Sequence, residues 1–215
     1  MKQGHAASGA VSVGTGSVPV IGIDVGQKRD PTAIAVVETH LRPIGDPAAR
    51  QSKSESHYFV RFLQRLPLGT PYPEVARRLG EIWQRAEQRS RQPPRVFVDA
   101  TGVGTPIVDL LRAQIPAAYL WAVTFTHGRR RTTDHATRKV SLGKAHLVSH
   151  LQVLLRDQRL HLPQHSEARA LAEELLTYEI RVDENAVDRY GAFRVGTHDD
   201  LVTALGLAIQ DEPRR

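Results

Sequence analysis

Cysteine is absent from the 215-residue chain, and its absence excludes several kinds of chemistry. Disulfides, thiolate zinc sites and a cysteine nucleophile are all ruled out. A bound metal would have to be held by carboxylate, histidine or backbone ligands, which favours hard cations such as Mg²⁺ or Mn²⁺. No apolar run approaches the roughly 18 residues that a membrane-spanning helix needs. A secretory signal is not expected either, because residues 1–17 lack a basic start followed by an apolar core.

Aromatic residues are scarce at 6%, but a 40% hydrophobic and 24% charged composition is ordinary for a globular domain. We expect residues 1–17, rich in Gly, Ala and Ser, to form a flexible leader, and residues 18–215 to form one domain. Lys and Arg number 29 against 23 Asp and Glu, a net charge of +6. This excess is compatible with a polyanionic partner or simply with general solubility.

The hydrophobic pattern predicts strands first and then an alternation of helices and strands. Apolar residues at helical spacing follow Pro71, and the segment 197–210 is apolar almost all round, which predicts a buried final helix. We expect residues 40–55 to form a loop and 178–195 a β-hairpin. The predicted strands are 18–26, 32–39, 57–66, 95–100 and 118–126. This order predicts an α/β protein with a central mixed sheet flanked by helices, the ribonuclease H-like fold.

Acidic residues stand at the ends of otherwise apolar elements. Asp24 ends the first predicted strand, Asp99 ends the fourth, and Asp199 and Asp200 open the last helix. If the first and fourth strands are neighbours, these carboxylates meet at one edge of the sheet. Carboxylates held close together repel, and a divalent cation relieves the repulsion. Two such ions about 3.5–4 Å apart can activate water for phosphodiester cleavage.

Each acid also has a structural explanation. Asp24 can be a turn residue before Gly26, and Asp99 can cap the following helix. Asp199 and Asp200 lie in a first helical turn, where acids interact favourably with the helix dipole. The three positions together favour a metal site, since burying several acids without a basic partner is unfavourable.

Four stretches resemble the nuclease domain of the large terminase subunit of tailed bacteriophages, which cuts concatemeric DNA during genome packaging. The last stretch is the most specific, because Gly-x-His-Asp-Asp followed by an apolar helix is the usual closing signature of that family. The four stretches are IGIDVGQKRDPTAIAVVE (21–38), VFVDATGVGTPIVDLL (96–111), residues 139–179 and GTHDDLVTALGLA (196–208).

The resemblance implies a metal-dependent endonuclease that uses Mg²⁺ or Mn²⁺, with two ions expected. Asp24, Asp99 and Asp200 would be the main ligands, with Asp199 beside them. Asp30 and His198 are secondary candidates: Asp30 fits an outer ligand or an Asp-Pro turn, and His198 fits an orienting group or a helix-start residue. The two neighbouring acids point about 100° apart on a helix, so either can be the one that reaches the metal.

The resemblance also implies partners, with one departure. Double-stranded DNA, a packaging ATPase, a small terminase subunit and a portal would be expected, in the cytoplasm of a bacterial host. The ATPase motif G-x-x-x-x-G-K-[ST] does not occur in the sequence, so the motor activity is not carried over. We expect either an excised domain or a protein encoded separately from its ATPase.

A basic segment precedes the predicted helix that starts near Leu147. It is a loop or a hairpin that is either solvated or grips phosphates beside the acids, and its charged residues are Arg129, Arg130, Arg131, Arg138 and Lys139. Three other classes of protein share part of this pattern. A RuvC-type Holliday-junction resolvase shares the fold, a sugar-kinase or actin-like ATPase shares IGIDVG (21–26) but needs two domains, and a catalytically silent nucleic-acid-binding module would bind without cutting.

Overall fold

A computed structural model describes residues 17–26, 30–44, 53–101, 104–182, 188–191 and 199–210. The helices are α1 (Tyr72–Ser90), α2 (Gly104–Arg112), α3 (Lys144–Arg156), α4 (Ser166–Thr177) and α5 (Asp200–Ala208). The strands are β1 (Val20–Asp24), β2 (Ala33–Ile44), β3 (Lys53–Arg65), β4 (Arg95–Asp99), β5 (Leu120–Thr126), β6 (Arg131–Asp134), β7 (Lys139–Gly143), β8 (Leu160–His161), β9 (Glu179–Val182) and β10 (Asp188–Gly191).

Eight of these strands form one mixed sheet in the order β6-β7-β5-β4-β1-β2-β3-β8. The meander β1-β2-β3 is antiparallel, whereas β1, β4, β5 and β7 run parallel to one another. Parallel neighbours need a crossover, which includes α1 between β1 and β4 and α2 between β4 and β5, whereas β5 reaches β7 through β6. The predicted α/β architecture and the adjacency of the first and fourth strands are both confirmed.

Side chains of β1 alternate between two hydrophobic cores. Ile21 and Ile23 pack on one face with Leu79 of α1 and Ile107 of α2. Val20 faces the other core, to which α3, α4 and α5 contribute. Because the sheet is covered on both faces, its central strands are apolar throughout rather than alternating.

Helix α5 lies directly on β1 because Gly22 has no side chain. A Cβ at Gly22 would lie 1.9 Å from the carbonyl oxygen of Ala204 and 2.6 Å from the backbone nitrogen of Ala208. On the other side of the helix, a Cβ at Gly206 would lie 2.4 Å from the side chain of Leu147 in α3. These close approaches hold the start of α5 near the end of β1.

The prediction of a loop over 40–55 is wrong at both ends. Strand β2 continues to Ile44 and β3 begins at Lys53, with pairs such as Arg42 and Glu55 in register. Leu41 and Ile44 are exposed, so this end of the hairpin is not covered by a core. Because neither face of the hairpin is buried here, its residues do not alternate between apolar and polar, which is the pattern that identifies a strand.

Other boundaries differ in smaller ways. The basic segment forms the antiparallel hairpin β6-β7, one of its two predicted forms, and a 3₁₀ turn over Ala117–Tyr119 precedes β5. The two-residue strand β8 was not predicted. Strands β9 and β10 pair antiparallel, which confirms the predicted hairpin near 178–195; its residues 183–187 and 192–195 lie outside the described part.

Two further observations concern the predicted domain limits. Residues 1–16 of the expected leader lie outside the described residues, whereas the Oγ of Ser17 accepts a hydrogen bond from the N–H of Thr39 at 2.8 Å. Across the described ranges, no helix has both the length and the apolar character needed to cross a membrane.

Candidate active site

Asp24 and Asp99 are the last residues of two neighbouring parallel strands. The register pairs Ile23 of β1 with Val98 of β4, so the next residue of each strand is an aspartate at the same level. Residues at equal levels of parallel strands project on the same side of the sheet. The predicted meeting of these two acids at one sheet edge is therefore confirmed.

The start of α5 brings two more carboxylates to this edge. Asp199 is the N-cap residue, and its carbonyl oxygen accepts the N–H of Thr203 at 2.9 Å. Asp200 is the first helical residue and is only 4% exposed. Burial of Asp200 at a helix start agrees with the favourable interaction of an acid with the helix dipole.

The charges of these neighbouring acids affect the pKa of Asp24. Burial raises the pKa of Asp24 well above its ordinary value, and the nearby negative charges of Asp99, Asp200 and Asp199 add to the rise in that order. The ammonium of Lys144, at the start of α3, acts in the opposite direction. The four acids thus form one electrostatic cluster, which we call the acid cluster: Asp24, Asp99, Asp199 and Asp200.

The donor chemistry of the acid cluster suits a hard divalent cation, because its members are carboxylates that crowd one another. Within the described residues, however, no three His, Asp or Glu side chains are close enough to form a ready-made metal site. Two of the acids also contact groups outside the acid cluster. The Oδ1 of Asp99 accepts the N–H of Thr101 at 2.8 Å, and the Oδ2 of Asp200 lies 3.6 Å from the Nε of Arg65.

Glu174 of α4 is a buried acid that the sequence analysis missed. One carboxylate oxygen, Oε2, accepts the N–H groups of Leu201 at 3.0 Å and Val202 at 3.1 Å. The other, Oε1, accepts a hydrogen bond from the Nη2 of Arg65 in β3. A carboxylate at these N–H groups caps the first turn of α5. Its signal in the sequence is an acid three residues after Leu171, within the apolar stripe of α4.

Lys144 was also missed as a site residue. It follows the last residue of β7, and its Nζ lies 5.4 Å from the centroid of the Phe125 ring. Its charge lowers the pKa of Asp24, so Lys144 adds a positive charge beside the acid cluster on the β7 side. A lysine directly after Gly143, at a strand-to-helix junction, is the feature that could have identified it.

The two secondary candidates have different outcomes. Asp30 is exposed, and its carbonyl oxygen would lie 2.1 Å from a Cβ at Gly26, so the Asp30 backbone lies close to the end of β1. The N–H of Gly26 also donates to the Oγ1 of Thr32 at 3.0 Å. His198 lies outside the described residues.

The five basic residues of the hairpin segment do not lie together in the structure. Arg129 and Arg130 are exposed, and the Arg130 carbonyl oxygen accepts the N–H of Gly143 at 2.8 Å, next to Lys144. The Arg138 guanidinium instead lies 5.1 Å from the centroid of the Trp121 ring. Lys139 is exposed at the start of β7.

Arg131 and Arg138 line a cavity of about 830 Å³ together with Arg95 and His135. Phe97 and Trp121 also line it, and no carboxylate does so among the described lining residues. Phe97 and Asp99 share one face of β4, but Arg95 begins β4 and Tyr119 precedes β5, so the cavity lies towards the strand ends opposite to the acid cluster. We call it the arginine cavity.

Comparison with known proteins gives structural matches only. No family model matches the sequence, and no curated protein matches it. A Mg²⁺-bound large terminase nuclease from thermophilic phage G20c matches with a TM-score of 0.61 and 20% identity, over 89% of this chain and 80% of that one. The human cytomegalovirus terminase nuclease domain, soaked with Mn²⁺, matches with a TM-score of 0.56 and 15% identity, over 90% and 81%.

A Thermus phage large terminase nuclease domain matches with a TM-score of 0.55 and 17% identity, over 89% of this chain and 78% of that one. At these identities the likeness concerns the fold rather than the activity. The matches span nearly the whole chain, and they agree with the family that the Gly-x-His-Asp-Asp signature suggested. The chain therefore has the ribonuclease H-like fold of the large terminase nuclease domains.

Proposed function

We propose that this chain is a metal-dependent DNA endonuclease of the terminase type. The observation that carries the proposal is the acid cluster, in which the charges of Asp99, Asp200 and Asp199 all raise the pKa of buried Asp24. A protein gains nothing from such crowding in the absence of a cation, because each carboxylate disfavours ionisation of the others. Perturbed carboxylates gathered at one sheet edge are typical of functional sites.

In this proposal Asp24, Asp99 and Asp200 hold Mg²⁺ or Mn²⁺, with Asp199 as an additional ligand and two ions expected. Bound divalent ions supply activation of water and stabilisation of the leaving oxygen in phosphodiester hydrolysis. The chain itself fixes the ligands on two adjacent strands and one helix start, which are rigid elements. Asp30 and His198 remain secondary candidates for outer positions.

DNA binding is assigned to the basic residues Arg129, Arg130, Arg131, Arg138 and Lys139. Arg129 and Arg130, near Lys144, would contact phosphates close to the scissile bond. Arg131 and Arg138, with Arg95, would accept a further phosphate in the arginine cavity, where the described lining offers no competing carboxylate. Contacts of this kind provide affinity without sequence specificity.

The biological role that follows is cutting of concatemeric phage DNA during genome packaging. That role requires double-stranded DNA as substrate, a separate packaging ATPase, a small terminase subunit and a portal as partners, in the cytoplasm of a bacterial host. The structural neighbours are terminase nucleases of phages and of cytomegalovirus, with Mg²⁺, Co²⁺ or Mn²⁺ bound or soaked in, and these support the proposal.

A plasmid-cleavage assay with Mn²⁺, Mg²⁺ or EDTA tests the function. We expect nicking and linearisation with either metal and none in EDTA. Binding of plasmid without cutting under every condition would instead identify a silent nucleic-acid-binding module. A parallel four-way junction separates the remaining alternative, because a RuvC-type resolvase cuts the junction in preference to linear duplex.

A further inference from the structure

Arg65 of β3 lies between two carboxylates, and it contacts them unequally. Its Nη2 donates a hydrogen bond to Glu174, whereas its Nε is 3.6 Å from the Oδ2 of Asp200, beyond hydrogen-bond distance. Glu174 is 6% exposed and Asp200 4%, so both carboxylates compete for this guanidinium in a setting that is largely shielded from water. An arginine has five donors and can bind a carboxylate with two of them at once.

The two carboxylate oxygens of Glu174 therefore have different roles. Oε2 caps the first turn of α5 through Leu201 and Val202, directly after Asp200. Oε1 engages Arg65, which would otherwise have Asp200 as its nearest carboxylate partner among the ion pairs of the described residues. The first role fixes where the helix begins, and the second limits how closely the guanidinium approaches Asp200.

We propose that Glu174 is a positioning residue that holds Arg65 in an ion pair 3.6 Å from Asp200 rather than in a hydrogen bond to it, so that the Asp200 carboxylate can still bind a divalent cation. This inference rests on the proposed function, because it assumes that Asp200 is a metal ligand. It adds a residue from a different helix, which touches neither metal nor DNA and acts only through Arg65 and the backbone of α5.

The test measures Mn²⁺ binding to the metal-free protein without DNA, by calorimetry and by the Mn²⁺ dependence of the melting temperature. Glu174→Gln keeps an acceptor oxygen for the two N–H groups but loses the charge that binds Arg65. Glu173→Gln, an exposed change of the same charge in the same helix, is the matched control. Arg65→Gln and the double variant Arg65→Gln/Glu174→Gln complete a cycle.

We expect Glu174→Gln to raise the Mn²⁺ concentration for half-saturation by at least about fivefold relative to Glu173→Gln, as is typical of coupling between sites. Arg65→Gln should bind Mn²⁺ at least as tightly as the wild type, since it removes the competing cation. The double variant should return to within roughly twofold of the wild type, because neither charge of the pair remains.

The outcomes separate this inference from the proposed function. A wild-type protein without any Mn²⁺ response would overturn the proposed function itself. If the wild type binds Mn²⁺ but Glu174→Gln matches Glu173→Gln, Glu174 is only a helix cap and the inference is wrong. The inference is equally overturned if Arg65→Gln weakens Mn²⁺ binding. If Glu174→Gln does not fold, the double variant is measured instead. A double variant that folds but binds Mn²⁺ weakly contradicts the inference.

Discussion

Helices α1 and α5 pack on opposite faces of the same sheet, yet they are built differently. Helix α1 buries one stripe, Val75, Ala76, Leu79, Gly80, Ile82 and Trp83, and exposes arginines on its other side. Helix α5 is buried along its whole length, including the polar residues Asp200 and Thr203. The first helix is a typical amphipathic surface helix, and the second is a core helix that begins with an acid.

This difference indicates that one face of the sheet mainly stabilises the fold, whereas the other also carries the candidate site. The face covered by α1 and α2 holds an apolar core, whereas the face covered by α4 and α5 also buries Glu174, Asp200, Thr203 and Gln210. Buried polar groups require partners, and Glu174 supplies them at the start of α5. Changes near α5 should therefore alter function, and changes near α1 should alter stability alone.

The largest expected effect is loss of cleavage in Asp24→Asn and Asp99→Asn. Asparagine keeps the size of the side chain but cannot neutralise a dication, so nicking of plasmid should become undetectable while DNA binding remains. Asp109→Asn, a 60% exposed acid on α2, is the matched control and should cut like the wild type. An acid-cluster variant that melts lower yet cuts at the wild-type rate would remove that residue from the site.

The second prediction compares two glycines. Gly22→Ala should destabilise the protein by about 1–3 kcal/mol, because the new Cβ would collide with the backbone of α5. It should also weaken the Mn²⁺ response by displacing Asp200. Gly80→Ala is the matched change in α1, where the Cβ would meet the side chain of Gln114 at 3.2 Å and its carbonyl oxygen at 3.7 Å.

For Gly80→Ala we expect a near-neutral result, since the higher helix propensity of alanine, roughly 0.5–1 kcal/mol, offsets a small adjustment of Gln114. Chemical denaturation measures both variants. Equal losses of stability at the two positions would show that α5 is not packed on β1 as closely as described.

A third comparison concerns the arginines that precede and begin β6 and those on the exposed side of α1. Replacing Arg129, Arg130 and Arg131 by alanine should weaken binding to all duplex sequences and flatten the dependence of log affinity on log salt by up to about 0.9 per lost phosphate contact. Replacing the exposed α1 residues Arg77, Arg85 and Arg89 changes the net charge equally but should leave the slope unchanged. Identical slopes for both triple variants would mean that the hairpin does not contact DNA.

The smallest expected effect is on the pH dependence of stability in EDTA. The raised pKa of Asp24 means that its ionisation destabilises the folded state once the pH exceeds the ordinary value of 3.8. Asp24→Asn lacks this penalty, so its melting temperature should exceed that of the wild type by an amount that grows with pH and then levels off. A gap that is constant from about pH 4 upwards would contradict the raised pKa.

The sequence predicted the parts of the fold that rest on local pattern. The period of α1, the apolar strands β1 and β4 and the closing signature at Asp199–Asp200 were all readable without a structure. The ends of β2 and β3 were not, because this part of the hairpin lies beyond the core and carries no alternation. Element boundaries outside a core have little sequence signal.

The amino-acid order by itself determined that Asp24 and Asp99 end apolar strands and that Asp199 and Asp200 begin an apolar helix. Only the tertiary structure decided that Glu174 and Arg65 lie beside them, since these residues are 109 positions apart and come from a helix and a strand with patterns of their own. Local pattern reflects burial and backbone geometry, which neighbours in sequence share. A contact between distant side chains depends on how whole elements pack, and no local pattern encodes that.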